Sequence, residues 1–199
     1  MREFWNPRGV FCLRNLTVMA MLLALRVILG YFTIQPVPEF RFFSITFIPM
    51  AMAAYLFGPW AAIVFGILGD TLGFLTRPMG MYFPGFAISE AAVCLIYALF
   101  TYKQPVDDLR NLIVRVTLAR ICIAIFVFFG LNFIWFNVFG HLFGVPAVVR
   151  EAGAFFLASG RLLNNVVQLP LYVALSVLFI RLARKLEDAR LIHTHHKKE

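Results

Sequence analysis

The sequence has little charge for its length. Only 14% of its 199 residues are charged, whereas 61% are apolar, and the mean hydropathy is +0.83. A disordered chain needs the opposite balance of charge and hydrophobicity, and a soluble domain of this size could not bury so much apolar surface. The composition therefore predicts a polytopic membrane protein with a single domain, residues 1–199.

Several common catalytic and metal-binding motifs are missing from the sequence. It contains no GxxxxGK[ST] loop, no GxSxG elbow and no HExxH helix, which excludes ATP hydrolysis by the P-loop route and provides no residues for the common hydrolases. The three cysteines, Cys12, Cys94 and Cys122, form no CxxC pair and predict neither a disulfide framework nor a zinc site. We expect no catalytic residue, no cofactor and no bound metal.

Long apolar runs dominate what is present. Each lies near the length of about 20 residues that a membrane-spanning helix needs, and Gly58-Pro59 makes a tight break between the second and the third. The sequence predicts an all-α fold, a single bundle of six transmembrane helices. The six predicted spans are 14–34, 43–57, 59–76, 84–101, 110–136 and 155–182.

The basic residues predict the orientation of this bundle. The chain has 18 Lys and Arg against 10 Asp and Glu, a net charge of +8. If the N-terminus is cytoplasmic, twelve basic residues lie inside, four lie outside, and Arg26 and Arg120 lie within spans, so the positive-inside rule favours N-in/C-in. Residues 1–13 are then a cytoplasmic N-terminus and 183–199 a cytoplasmic basic tail, and the positive charge indicates no nucleic-acid partner.

Four charged residues, Arg26, Asp70, Glu90 and Arg120, lie inside the predicted spans. Each costs about 2.5–3.5 kcal/mol or more at the centre of a bilayer, so each is expected to face the bundle interior, a cavity or a partner. The predicted topology places most of these groups just below the outer surface. Further groups are predicted at that level: Arg161, Asn164, Asn165 and Gln168 of the sixth span, and the aromatic loop Tyr82-Phe83-Pro84-Gly85-Phe86.

Two interpretations of this polar level stay open. It could be a structural network that holds the helices together, with Asp70 and Glu90 as its acidic members. It could also be an outward-facing cavity, with cations and amides for an anionic ligand and aromatic side chains for a flat ring. Both can hold at once.

Small residues recur at helical spacing. Close helix packing is the simplest explanation of this pattern. The residues are Ala20 and Ala24 in the first span, Gly66, Gly69 and Gly73 in the third, and Ala87 and Ala91 in the fourth.

An ordered set of motifs across residues 17–172 resembles the folate-family substrate-binding (S) components of energy-coupling factor (ECF) vitamin transporters. In chain order the motifs are Ala20-Met21-Leu22-Leu23-Ala24-Leu25-Arg26-Val27, Phe47-Ile48-Pro49, Phe57-Gly58-Pro59, Gly69-Asp70-Thr71-Leu72-Gly73, Tyr82-Phe83-Pro84-Gly85-Phe86, and Gly160-Arg161 with Asn164-Asn165 and Pro170. The resemblance implies a six-helix bacterial plasma-membrane protein without its own ATPase. Such a protein captures a vitamin at the outer face and docks on a transmembrane scaffold protein that is coupled to two cytoplasmic ATPases.

The resemblance also implies roles for particular residues. Ala20 and Ala24 match the pair that contacts the scaffold in this superfamily. The residues implied to bind a folate-like vitamin are Arg26, Tyr82, Phe83, Pro84, Gly85, Arg161, Asn164, Asn165 and Gln168. Besides the vitamin, the scaffold and the ATPases, the expected partner is membrane lipid.

Two alternatives stay open beside the folate interpretation. One is an S component for another vitamin or a queuosine-type precursor. The other is a non-transport membrane protein, either an assembly subunit or an intramembrane enzyme, which the acidic residues Asp70 and Glu90 would suit.

Overall fold

All regular secondary structure in the described residues is helical. The computed structural model describes residues 13–32, 45–78, 82, 84–102, 104, 108–131, 134–135 and 167–185. The main helices are α1 (Leu13–Tyr31), α2 (Phe47–Thr76), α3 (Pro84–Thr101), α4 (Leu109–Cys122), which continues as a π-helix over Ile123–Leu131, and α5 (Val167–Lys185). Four of them, α1, α2, α3 and α5, are long and apolar enough to cross a membrane. These helices confirm the predicted all-α membrane class.

Gly58 divides α2 into two halves, residues 47–57 and 59–76. Its φ of 79° and ψ of −174° lie in a region that residues with a Cβ adopt only at considerable cost. Pro59 then begins the second half at a position where its missing N–H needs no helical acceptor. The predicted break at Gly58-Pro59 is confirmed, and α2 accounts for the second and third predicted spans.

The second half of α2 runs antiparallel to α3. A Cβ at Gly58 would lie 2.8 Å from the ring of Tyr102, just beyond the end of α3. At the other end, the Thr71 and Tyr82 hydroxyls are 3.3 Å apart, just before α3 begins. The two helices therefore lie side by side with opposite directions, as the alternation of the predicted spans requires.

The first half of α2 turns back towards the middle of the bundle. Phe47, at its start, lies under the guanidinium of Arg120, which in turn lies beside Tyr97 of α3. Gly58, at the other end of this half, lies beside Tyr102, just beyond the end of α3. Tyr97 is more than one helical turn further towards the middle of α3, so Phe47 lies deeper in the bundle than Gly58. The chain therefore reverses direction at Gly58.

This first half is the centre of the core. Every residue from Phe47 to Phe57 is buried, and Ala51, Ala53 and Ala54 are at most 1% exposed. A helix that is apolar on all sides belongs inside a bundle, and its alanines allow the neighbouring helices to approach closely. At about 1.5 Å per residue this half rises only about 17 Å.

Small residues also set the contact between α2 and α3. A Cβ at Gly66 would lie 2.6 Å from the Cα of Ala91. Only a residue without a side chain permits this separation, so the predicted close approach is confirmed for this pair.

Helix α1 buries only a narrow stripe. Its buried residues, Asn15, Met19, Leu22 and Arg26, recur every three or four positions, which is the spacing of one helical face. Ala20 and Ala24 lie on the exposed side of α1.

The ends of the predicted spans differ slightly from the observed ones. Helix α5 continues through Lys185, so the first three residues of the predicted tail 183–199 are helical. The fifth span is not a uniform α-helix, because it changes to a π-helix at Ile123. Residues 33–44 and 136–166 lie outside the described part of the chain.

The basic residues follow the predicted asymmetry where they are described. Arg14, Arg110 and Arg115 lie near the helix ends on the Gly58 side of the bundle, whereas Arg77 follows the opposite end of α2. The N-in/C-in orientation stays a prediction that this distribution favours.

Candidate ligand-binding site

Arg26 is buried between α1, α2 and α3. Its Nη2 donates to Oε2 of Glu90 at 3.0 Å, and its Nη1 donates to the main-chain oxygens of Gly66 at 3.3 Å and Phe65 at 3.5 Å. The side chain of Arg26 is only 7% exposed and that of Glu90 is 24% exposed. A charge-assisted pair with additional carbonyl acceptors is the arrangement that a buried guanidinium needs.

Gly69 makes room for this arginine. A Cβ at residue 69 would lie 1.8 Å from Nη1 of Arg26 and 2.5 Å from its Cζ. The predicted glycine pattern of this helix therefore has two functions, because Gly66 admits α3 and Gly69 admits the Arg26 side chain. At Gly73 a Cβ would meet nothing within 4 Å.

Of the two acidic residues predicted as structural, Glu90 is the carboxylate that pairs with Arg26. Asp70, next to Gly69, is half-buried. The polar network of the first interpretation is therefore present, built on Arg26 and Glu90.

The aromatic segment before α3 packs against the end of α2. The Tyr82 ring lies 4.9 Å from that of Phe74, and its hydroxyl contacts Thr71. Pro84 and Gly85 form the first turn of α3 rather than a loop, because proline suits the first helical position. Phe83, also predicted to bind the ligand, lies outside the described residues.

Of the predicted polar patch in the sixth span, only Gln168 is described. It is buried at the start of α5. Arg161, Asn164 and Asn165 lie outside the described residues, so their place near the ligand stays a prediction.

A second polar cluster was not predicted. The guanidinium carbon of Arg120 lies 3.9 Å from the ring centroid of Tyr172 and 5.3 Å from that of Phe47. Tyr97 lies beside it, and Ser176 lies beside Tyr97. The sequence shows that Arg120 is a charged residue in an apolar span and so needs a partner. Its neighbours could not be predicted, because most of them are aromatic and an aromatic residue in a membrane helix can face either lipid or protein.

From residue 14 to residue 180 the sequence matches the family described as "ECF transporter, substrate-specific component". The chain belongs to this family. Membership favours transport over the alternative of an assembly subunit or an intramembrane enzyme, and it confirms the resemblance seen in the ordered motifs.

Two comparisons place this S component more closely. It is 34% identical over 120 residues to the folate transporter FolT of Clostridium novyi (strain NT), a match that covers 60% of the chain and 66%, just under two thirds, of that protein. Its structure is similar to the crystal structure of FolT bound with folic acid, with a TM-score of 0.69 and 25% identity over 86% of this chain and 94% of that one.

The two buried arginines of this S component are stabilised in different ways. Arg26 is neutralised by Glu90 and joins three helices. Arg120 lies against aromatic faces, and in the described part of the chain no carboxylate lies within ion-pair distance of it. The first charge is stabilised by an ion pair, whereas the second is stabilised by cation–π contacts.

Proposed function

We propose that the protein captures folate or a reduced folate at the outer face of the bacterial plasma membrane, as the S component of an ATP-driven ECF uptake transporter. The observation that carries this proposal is the similarity of its fold, along nearly the whole chain, to FolT in its folic-acid complex. The 34% identity to a second FolT supports the same ligand class.

The chemistry of the proposed site suits this ligand. Folate has glutamyl carboxylates, which guanidinium groups bind well. Its pterin ring has a flat face for aromatic side chains and several polar edges for amides. The residues proposed to bind it are Arg26, Tyr82, Phe83, Pro84, Gly85, Arg161, Asn164, Asn165 and Gln168.

Uptake requires partners, because no P-loop is present in the sequence. The proposed docking surface is the side of α1 that includes Ala20 and Ala24, both of which are exposed. Their short side chains leave a shallow groove in which the helix of a transmembrane scaffold protein can pack closely. Two cytoplasmic ATPases on that scaffold would supply the energy.

Isothermal titration of the detergent-purified protein tests the ligand. Folate and 5-formyltetrahydrofolate are expected to bind at micromolar concentration or below, and riboflavin and thiamine, titrated as controls, are not. The absence of binding for both folates would contradict the proposal. Preferential binding of another vitamin would support the alternative S component instead.

A further inference from the structure

An open groove lies between α4 and α5, with a volume of about 340 Å³. Ile113 and Thr117 line it from α4, and five residues of α5 between Leu169 and Val177 line it from the other side. Thr117 is the one polar side chain among these lining residues, and its hydroxyl donates to the main-chain oxygen of Ile113 at 2.8 Å. The groove therefore suits a hydrocarbon chain, which offers no hydrogen-bonding group.

The groove runs along the helices. Its lining residues on α5 recur every three or four positions, for example at Leu169, Val173 and Val177, which is the spacing of one helical face. From residue 169 to residue 177 a helix rises about 12 Å, close to the roughly 15 Å that one leaflet contributes to the hydrocarbon core. One acyl chain lying along the helices matches this shape.

An arginine continues each wall of the groove. Arg110 precedes Ile113 by three residues on α4, and Arg181 follows Val177 by four residues on α5, so each lies on the helical face that lines the groove. Consecutive spans of the predicted topology run in opposite directions, which brings both arginines to the same end. That end is the Gly58 side of the bundle, the cytoplasmic side under the predicted orientation.

The two arginines also lie at a similar depth. The guanidinium of Arg120 stacks on the Tyr172 ring at 3.9 Å, which gives α4 and α5 a common level. Arg110 is about 15 Å from this level along α4, and Arg181 is about 14 Å from it along α5. A chain that extended from the two arginines to the Arg120 level would therefore cross about one leaflet.

The charges of these arginines are not balanced by an acid in the described part of the chain. Arg110 is exposed and Arg181 is half-buried, and no carboxylate described in the structure lies within ion-pair distance of either guanidinium. Asp108 instead caps α4, because it accepts from the main-chain N–H of Arg110 at 3.0 Å and from the Asn111 side chain at 2.6 Å. Guanidinium groups bind phosphate oxygens with charge-assisted hydrogen bonds, so this end of the groove is complementary to a phosphate.

We propose that the groove and its two arginines bind one phosphatidylglycerol molecule of the leaflet on the Gly58 side. One acyl chain fills the groove, and the single phosphate lies between the guanidiniums of Arg110 and Arg181. A zwitterionic lipid would bring an ammonium group to the same place and lose most of this attraction. The inference goes beyond the proposed function, because it uses no residue of the proposed vitamin site or of the scaffold-docking surface.

Native mass spectrometry of the detergent-purified protein tests the headgroup. Phosphatidylglycerol and phosphatidylcholine with identical acyl chains are titrated separately. One phosphatidylglycerol is expected to bind about tenfold or more tightly than phosphatidylcholine, and Arg110→Gln and Arg181→Gln are each expected to weaken it about fivefold, since an interfacial arginine contributes about 1 kcal/mol. Arg110→Lys and Arg181→Lys keep the charge and are expected to keep most of the affinity.

Arg77→Gln is the matched control for charge. Arg77 is also exposed, but it follows the opposite end of α2. Its loss lowers the net charge as much as loss of Arg110 does, and the affinity for phosphatidylglycerol is expected to stay unchanged.

Ala174→Trp tests the groove itself. Residue 174 is exposed and lines the groove, so a large ring there would occupy the place of the acyl chain while both arginines remain. The variant is expected to lose about nine-tenths of its affinity for phosphatidylglycerol, the equivalent of about 1.4 kcal/mol. Leu178→Trp adds the same ring at an exposed position that does not line the groove and is expected to bind normally. Thermal unfolding without added lipid checks that each variant is folded.

Three results would overturn the inference. Equal affinity of the wild-type protein for the two lipids would mean that it carries only a non-specific lipid shell. Wild-type affinity for phosphatidylglycerol in the double variant Arg110→Gln/Arg181→Gln, or in Ala174→Trp, would remove the arginines or the groove from the site. A protein dimer in the same spectra that disappeared in Ala174→Trp would assign the groove to a second copy of the chain.

Discussion

Arg26 shows how a membrane bundle tolerates a charge. Its guanidinium pairs with Glu90 and with two carbonyl oxygens of α2, so that α1, α2 and α3 meet at one side chain. Since α1 buries only a narrow stripe with two apolar side chains, Met19 and Leu22, this contact contributes to holding α1 in place. The same residue is proposed to bind the ligand, and the two roles can be separated.

Glu90→Ala should destabilise the ligand-free protein by about 3 kcal/mol, the lower end for a buried pair because Glu90 is partly exposed. The double variant Arg26→Ala/Glu90→Ala should recover part of that loss, since it leaves no unpaired charge. Thermal or denaturant unfolding in detergent measures both. A double variant that was less stable than Glu90→Ala would show that the ion pair is not the reason.

The same double variant tests the ligand role of Arg26. If Arg26 contacts folate, the double variant should bind it at least tenfold more weakly than the wild type, although its fold is largely restored. Unchanged affinity in calorimetry would remove Arg26 from the proposed site and leave it a structural residue.

Gly69→Ala should displace the Arg26 side chain, because the new Cβ would lie 1.8 Å from Nη1 of Arg26. The expected loss is about 1–3 kcal/mol of stability. Gly73→Ala, one turn later on the same helix, has open space at its Cβ and should be neutral or more stable by up to about 1 kcal/mol. Equal effects in an unfolding experiment would contradict the account of Gly69.

The charged residues inside the spans could be predicted from the sequence, but the residues they contact could not. A charge in an apolar run is visible in the sequence, so Arg26, Glu90 and Arg120 could all be identified as residues that need a partner. Their partners could not be identified, because pairing depends on the rotation of each helix about its axis. An ion pair at least limits the choices by charge, whereas the aromatic neighbours of Arg120 give no such limit.

The helices themselves were largely predictable, with α2 as the informative exception. Hydropathy locates the apolar segments, and Gly58-Pro59 locates the reversal within α2. The complete burial of residues 47–57 could not be predicted, because lipid tails and a protein core are equally apolar and favour the same residues. Residues 47–57 are too short to span a bilayer easily and rich in alanine. These features suit a helix at the centre of a bundle, but the sequence does not show which helices surround it.

Gly58→Ala should damage the α2 hairpin. The substitution adds a Cβ at a φ of 79° and places it 2.8 Å from the Tyr102 ring, so a loss of about 1–3 kcal/mol from backbone strain alone is expected. The matched control is Gly30→Ala in α1, where a Cβ would meet nothing within 4 Å. If both variants unfolded at the wild-type temperature, the hairpin would not depend on Gly58.

The molecule as a whole combines a firmly packed core with a loosely covered first helix. Residues 47–57 are buried on all sides, whereas most of α1 is exposed, including Ala20 and Ala24. An S component needs both properties under the proposed function. The core has to hold the ligand, and one exposed helix has to bind a scaffold that supplies the ATPases.

Ala24→Trp should abolish vitamin uptake in cells that also produce the scaffold and ATPases, while folate binding to the purified variant stays at the wild-type level. The large ring would block close approach of a scaffold helix. Leu178→Trp on α5 is the control, because residue 178 is 61% exposed on another face and should keep both activities. Full uptake by Ala24→Trp would place the docking surface elsewhere.

Native mass spectrometry of the protein in an equimolar mixture of vitamins tests the proposed ligand most directly. The detergent-solubilised protein would be incubated with folate, riboflavin, thiamine and biotin at equal micromolar concentrations, and the bound species identified by its mass. The predicted spectrum shows one folate per protein and no other adduct. A spectrum with a different vitamin, or with no vitamin bound, would contradict the assignment of this S component to folate.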